Sequence, residues 1–192
     1  DGEQINLPVS GKYNYQNALA CVSLAKVLGL STSQIKTGLE SFRNIGGRME
    51  ILNEIFITGK KVTVVKDCYN ANPDAMKKVI ELCSEQKCPG NKIFVLGDMK
   101  DLGRQSESAH KEIIDFVKKA DVNYVAFVGT EFGKFKNELV SGNYINCESV
   151  YDEKLSRFVL ENTSDESILL LKGSNSMSLW DLLPNLIKGG KN

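Results

Sequence analysis

Lys61-Val62-Thr63-Val64-Val65-Lys66-Asp67-Cys68-Tyr69-Asn70-Ala71-Asn72-Pro73 decides how the chain is read. It opens as a β-rich run, passes through a short polar turn, and ends on a helix start. Asn72 suits an N-cap and Pro73 the first helical position. Met76, Val79, Ile80 and Cys83 then recur at the spacing of an inward helix face. Strand, polar turn and amphipathic helix make the repeating unit of an α/β fold. Upstream, Met49–Ile57 is a second β-rich run, and Thr58-Gly59-Lys60 between the two predicts a hairpin. Downstream the unit recurs. Ile93–Leu96 reads as a strand, Ser106–Lys119 as a helix, Tyr124–Val128 as a strand and Thr130–Val140 as a helix. A short strand at Glu148–Tyr151 follows, then a helix capped by Asp152 that carries Leu155, Phe158 and Val159. Ile168–Leu171 is the last strand, and a helix with Leu179, Trp180, Leu183 and Leu186 closes the chain, Trp180 in the core. Strands this apolar, alternating with helices, predict a doubly wound α/β domain. Its sheet should be Rossmann-like, mostly parallel, entered through the hairpin and covered on both faces by right-handed crossovers.

Residues 1–46 read differently. Asn14–Leu28 predicts a helix with Cys21, Leu24, Ala25 and Leu28 at helical spacing, ended by Gly29. Ser31 and Gln34 form a capping-box pattern before Ile35, Leu39 and Phe42. Two helices with no sheet need a further neighbour to cover their apolar faces. Gly46-Gly47 is the expected boundary, dividing the chain into 1–46 and 47–192.

Charge narrows the function classes. Lys+Arg and Asp+Glu both number 24, so the net charge is zero and no long-range field draws nucleic acid or an anionic membrane. No apolar run approaches the ~20 residues that span a bilayer. The start, Asp1-Gly2-Glu3-Gln4, lacks the basic and apolar regions of a signal peptide and lacks an initiator Met, as expected of a piece of a longer chain. The five cysteines are scattered, with no CxxC or Cys/His cluster to hold zinc, which predicts reduced thiols in the cytoplasm. In that compartment the Asn162-Thr163-Ser164 acceptor pattern carries no meaning.

In open α/β sheets ligands bind at the carboxyl ends of the strands. Those exits are Asp67–Pro73, Gly97-Asp98-Met99, Gly129-Thr130 and Lys172-Gly173-Ser174. Glycines and short polar residues are common in such turns, but Asp67–Pro73 has more directional hydrogen-bonding capacity than a turn requires. Gly129–Phe135 is not a phosphate loop: its spacing is one residue short, and Phe135 stands where a Mg2+-binding Ser or Thr should be. No GxGxxG supports a dinucleotide oxidoreductase, and no Gly-x-Ser-x-Gly turn accompanies His110, which is expected on a helix surface.

Asp67-Cys68-Tyr69-Asn70-Ala71-Asn72-Pro73-Asp74-Ala75-Met76 resembles the signature segment of the Mur ligases, in the branch that adds D-alanyl-D-alanine. Val95-Leu96-Gly97-Asp98-Met99 with Leu102-Gly103, Ser106 and His110 is similar to the same branch, as is Leu171-Lys172-Gly173-Ser174. Gly11–Ala20, Phe42-Arg43 and Gly47-Arg48-Met49-Glu50 resemble the end of that family's ATPase domain and the entry to its C-terminal domain. The resemblance runs in order over nearly the whole chain.

What it implies is an ATP-dependent amide ligase of peptidoglycan synthesis, cytoplasmic and monomeric. Such an enzyme joins D-alanyl-D-alanine to UDP-N-acetylmuramoyl-tripeptide through an acyl phosphate. Residues 1–46 would end the central ATP-binding domain and 47–192 would be the acceptor-binding domain. The phosphate loop and the Mg2+ ligands would lie upstream, so this piece alone is expected to be inactive. By resemblance, Asn14, Asn17, Arg48 and Asp67 face ATP, while Asn70, Asn72, Lys172, Gly173 and Ser174 face the dipeptide. No catalytic residue is assigned and no metal site is expected here. Tyr13 stands where the family usually has His and Asn175 where it commonly has Arg, so the resemblance carries neither the imidazole nor that guanidinium over to this chain. The alternatives are a related Mur ligase with another amino-acid acceptor, or a non-catalytic nucleotide- or peptide-binding α/β module.

Overall fold

The computed structural model describes residues 3–9, 12–43, 46–139 and 141–188. It divides into two compact units, Asp1–Gly46 and Gly47–Asn192.

The first unit holds α1 (Lys12–Val27) and α2 (Thr32–Glu40). Gly29 turns the chain with φ +80, and Ser31 opens α2 with both halves of the capping box formed. Only Ile35 of α2 is buried. Leu19, Leu24 and Val27 of α1 and Leu28 just after it are between 62% and 83% exposed, so these apolar side chains lack cover.

The second unit is a six-stranded sheet in the order β1-β2-β6-β3-β4-β5. β1 (Glu50–Ile57) and β2 (Lys60–Asp67) pair antiparallel, and every other pair is parallel. Thr58 and Gly59 have φ of +50 and +77, a two-residue turn that matches the strand twist. In β1 two residues, Asn53 and Glu54, oppose Thr63 alone, and Glu54 has φ +59; this is a β-bulge. The remaining elements are α3 (Pro73–Ser84), β3 (Lys92–Gly97), α4 (Ser106–Val117), β4 (Tyr124–Val128), α5 (Thr130–Gly133), β5 (Tyr144–Cys147), α6 (Glu153–Asn162), β6 (Ser167–Lys172) and α7 (Leu182–Lys188).

Alternation along the strands builds two cores. Phe94, Leu96, Phe127 and Leu170 meet α3 and α4 on one face. Ile93, Val95, Val128, Leu169 and Leu171 meet α6 and α7 on the other. Each of these buried aliphatic or aromatic side chains contributes about 1.5–3 kcal/mol. The doubly wound, mostly parallel sheet is therefore the one the strand pattern predicts, hairpin included.

Three elements differ from expectation. Thr130–Val140 is not one helix: α5 stops at Gly133, and a separate 3-10 turn covers Lys136–Glu138. Gly133 weakens the helix from within, and burying Phe132 takes precedence over extending it. Val140 lies outside the described residues. The fifth strand is Tyr144–Cys147 rather than Glu148–Tyr151, where backbone bonds to Ser149 make a turn instead. The closing helix begins as a 3-10 turn at Leu179–Asp181 and becomes α-helical only at Leu182, with Trp180 half-buried against the core.

Candidate functional site

The order β2-β6-β3 brings three strand exits together. The chain leaves β2 and β3 toward the α3/α4 face and leaves β6 toward α7 on the other face. Such a reversal opens a crevice at the strand carboxyl ends. Asp67 is paired in register with Lys172, and Lys172 with Leu96. The Lys172 ammonium lies 2.9 Å from Asp67 Oδ2 and donates to the Asn70 backbone carbonyl. It is 1% exposed, so it reaches its neighbours rather than solvent. The other oxygen of Asp67, Oδ1, accepts from the Met49 N–H at 3.1 Å.

Asn70 and Asn72 stand beyond this pair and are exposed. Asn70 Oδ1 accepts from the Ala71 N–H at 2.9 Å, and Asn72 Oδ1 caps α3 by accepting from the Ala75 N–H at 2.8 Å. Each carbonyl oxygen thus has one lone pair engaged by backbone, and both amide NH2 groups remain as donors. A carboxylate or carbonyl of a ligand is the matching partner.

The β6 exit is stitched to β3. The Ser174 N–H donates to the Asp98 carbonyl at 3.2 Å, and Ser174 Oγ accepts from the Lys100 N–H at 2.9 Å. A Cβ on Gly173 would stand 2.9 Å from Leu179 Cδ1 and 3.1 Å from Gly97 Cα. Gly173 is therefore required by packing. Asn175 is exposed at the start of a 3-10 turn.

Arg48 lies with its guanidinium carbon 4.1 Å from the centroid of the Tyr69 ring, a cation–π stack. The Tyr69 N–H donates to the Gly47 carbonyl at 3.0 Å. Beside it Glu50 accepts from the Gly47 N–H at 3.1 Å and from Lys66 Nζ at 3.0 Å. Lys66, then the Gly47 amide, hold the Glu50 carboxyl below its ordinary range. Asn14 and Asn17 belong to the other unit, three residues apart on one face of α1, with Asn14 half-buried and Asn17 exposed. Because α1 starts at Lys12, neither caps it.

His110 corrects the sequence reading. It is not on a surface but fully buried. Its Nε2 accepts from the Met99 N–H at 3.0 Å, and its Nδ1 meets the Ser106 carbonyl at 2.7 Å, which fixes the Nδ1–H tautomer. Its ring packs edge-on against Phe132. The signal was present in the sequence: His110 falls on the stripe Ala109, Ile113, Ile114, Val117 that α4 buries. Asp98 is also fully buried and accepts from the Glu131 and Phe132 N–H groups, both at 3.1 Å.

The β3 exit also flanks a cleft of about 430 Å3 whose lining includes Lys100, Arg104, Ser106, Glu131 and Lys134. Sequence reasoning missed it, because its charges come from three separate elements. Lys134, then the Ser106 hydroxyl, keep the Glu131 carboxyl below its usual range. Cys68, at the site itself, is no nucleophile. It is fully buried, its thiol donates to the Leu171 carbonyl at 3.1 Å, and burial pushes it up to about 12. Among the described residues no group of three or more His, Cys, Asp or Glu side chains is placed to hold a metal ion, and no helix is long and apolar enough to cross a membrane.

Residues 47–175 match the family described as Mur ligase, glutamate ligase domain. The chain belongs to the Mur ligase family. The UDP-N-acetylmuramoyl-tripeptide–D-alanyl-D-alanine ligase of Treponema pallidum is 32% identical over 193 aligned residues, covering 97% of this chain and 40% of that protein. This Mur ligase chain spans about two fifths of the length of the curated relatives it matches. Its fold is shared with the crystal structure of MurF from Acinetobacter baumannii, at a TM-score of 0.78 and 24% identity over 96% of this chain and 39% of that one. The MurF ligase of Thermotoga maritima, solved in complex with ADP, is 25% identical with a TM-score of 0.67, over 88% of this chain and 36% of that one.

Proposed function

We propose that this chain is the acceptor-side portion of an ATP-dependent amide ligase that joins D-alanyl-D-alanine to UDP-N-acetylmuramoyl-tripeptide in the cytoplasm. The observation that carries the reading is the Asp67–Pro73 segment. It sits at the topological switch point and presents two amide donors, from Asn70 and Asn72, at the end of a sheet of Mur ligase type. The T. pallidum relative, named for this acceptor, supports the choice of dipeptide.

In this reading Asn70 and Asn72 hold the dipeptide through its carboxylate or carbonyl groups, with Ser174 beside them. Asp67, 16% exposed at its side chain, turns its remaining accessible edge toward the ribose hydroxyls. Arg48, poised on Tyr69, meets phosphate through its fork of donors. Asn14 and Asn17 offer adenine an edge that both donates and accepts. ATP would supply the phosphoryl group that turns the tripeptide's terminal carboxylate into an acyl phosphate, with ADP leaving, and Mg2+ would be held by residues outside this chain. The protein's own part is to orient the dipeptide amine for attack, and positioning dominates such transfers. Residues 1–46 are assigned to the end of the central ATP-binding domain, a view the uncovered apolar residues of α1 favour.

The test is turnover by the full-length enzyme. It is expected to release phosphate and form the pentapeptide product with D-alanyl-D-alanine, while residues 1–192 alone turn over neither ATP nor acceptor. Product formation with a different amino acid and not with the dipeptide would overturn the acceptor. ATP turnover by the isolated chain would overturn its assignment as a part-site.

A further inference from the structure

We propose that Lys172 is a positioning residue: its buried ammonium ties Asp67 to Asn70, so the nucleotide-facing and acceptor-facing halves of the site hold one shared geometry. This rests on the ligase reading above for what Asp67 and Asn70 contact.

A lysine at 1% exposure requires compensation for the loss of its hydration. The compensation here comes from two groups of one loop. Asp67 Oδ2 is 2.9 Å away and neutralises the charge; the Asn70 carbonyl accepts a second N–H. These groups lie three residues apart, on either side of the turn that leaves β2. Lys172 itself is the last residue of β6, a strand paired on both sides and fully buried along its length. The loop is therefore pinned from beneath by an anchor on a central strand. Asp67 has its other oxygen on the Met49 N–H, and Asn70 has its side-chain oxygen on Ala71, so each is held at two points. With its ammonium turned inward, Lys172 has no exposed donor for a substrate carboxylate. It acts through the residues it holds.

A direct contact and a positioning role make different predictions for Lys172→Met, which keeps the length and removes the charge. In the full-length enzyme, positioning predicts that the KM values for ATP and for acceptor both rise, by about tenfold or more, because loss of the ammonium strands a carboxylate that is only 16% exposed. The loss should be the same for D-alanyl-D-alanine and for its C-terminal carboxamide, which has no carboxylate to bind. If Lys172→Met fails to fold, Asp67→Asn combined with Lys172→Met strands no charge and is read on the acceptor alone: a KM raised equally for the dipeptide and its carboxamide supports positioning, and a rise that disappears with the carboxamide overturns it. A loss confined to the acceptor KM that disappears with the carboxamide would make Lys172 a direct ligand and overturn the proposal. So would kinetics within twofold of wild type.

Failure of the ligase reading shows separately, in the wild-type enzyme. If it takes another acceptor, the same acid and carboxamide comparison is made with that acceptor. If it takes none, calorimetric titration with ADP decides: Lys172→Met should weaken binding about tenfold, and unchanged affinity overturns the proposal.

Discussion

Asn70 and Asn72 illustrate what a side chain can be read to do before its surroundings are known. Two amides in a turn announce directional hydrogen bonding; which half of each amide remains for a ligand depends on backbone N–H groups that no spacing reveals. Since each has its oxygen on the backbone, Asn70→Ala should remove a donor from the acceptor pocket. We expect the dipeptide KM of the full-length enzyme to rise about tenfold, the scale of a hydrogen bond to a charged group, with a smaller change for ATP. Equal effects on both substrates would place Asn70 elsewhere. His110 shows the converse limit. Its place on the buried stripe of α4 was legible, yet its partner is a backbone amide at the end of β3, eleven residues upstream and brought near only by the sheet. His110→Leu keeps the volume and strands the Met99 N–H, so the denaturation midpoint should fall by the equivalent of about 1–3 kcal/mol. An unchanged midpoint would mean the amide finds another acceptor.

At the level of elements, strands and long helices were legible because one periodicity decided each of them. α3 follows from Asn72, Pro73 and the 76-79-80-83 stripe, and β3 from four apolar residues in succession. Thr130–Val140 was not legible, because its helical propensity competed with burying Phe132 beneath β4. The turn that introduces it depends on Gly129. That residue has φ +122, and a Cβ there would lie 2.3 Å from the Asp98 carboxyl carbon. Gly129→Ala should cost about 3 kcal/mol through left-handed strain and overpacking together. Asn72→Ala, which removes the α3 cap, should cost about 1 kcal/mol of stability. Chemical denaturation of both variants checks the order, and a larger loss for Asn72→Ala would refute it.

Across the whole molecule, burial sorts the cysteines. Cys68 and Cys83 are pushed up to about 12 and Cys147 to about 11, in each case by desolvation, while Cys21 is exposed. Alkylation of the native chain near neutral pH should modify Cys21 first and half-buried Cys88 slowly. Mass spectrometry finding Cys68, Cys83 or Cys147 labelled before unfolding would contradict this packing. The entry to the sheet domain carries a pH signature. The folded state lowers the Glu50 carboxyl, so its contribution to stability is present above the ordinary glutamate range and lost as pH falls through the folded value. Thermal melts of wild type and Glu50→Gln should converge on acidification below that range, and a gap that widens would reverse the sign.

The bulge at Glu54 has a meaning for the company this chain keeps. A sheet grows by accepting a strand along an open edge, and β1 is one of the two edges here. Its ladder is broken between Leu52 and Ile55, where Glu54 takes a left-handed conformation and pairs with Lys61. An incoming strand would find a bent template carrying a charge rather than a flat row of amides and carbonyls. At the other edge β5 offers only four residues. Both margins thus discourage recruitment into cross-β assemblies, which protects a sheet whose interior strands are apolar enough to aggregate if ever laid bare.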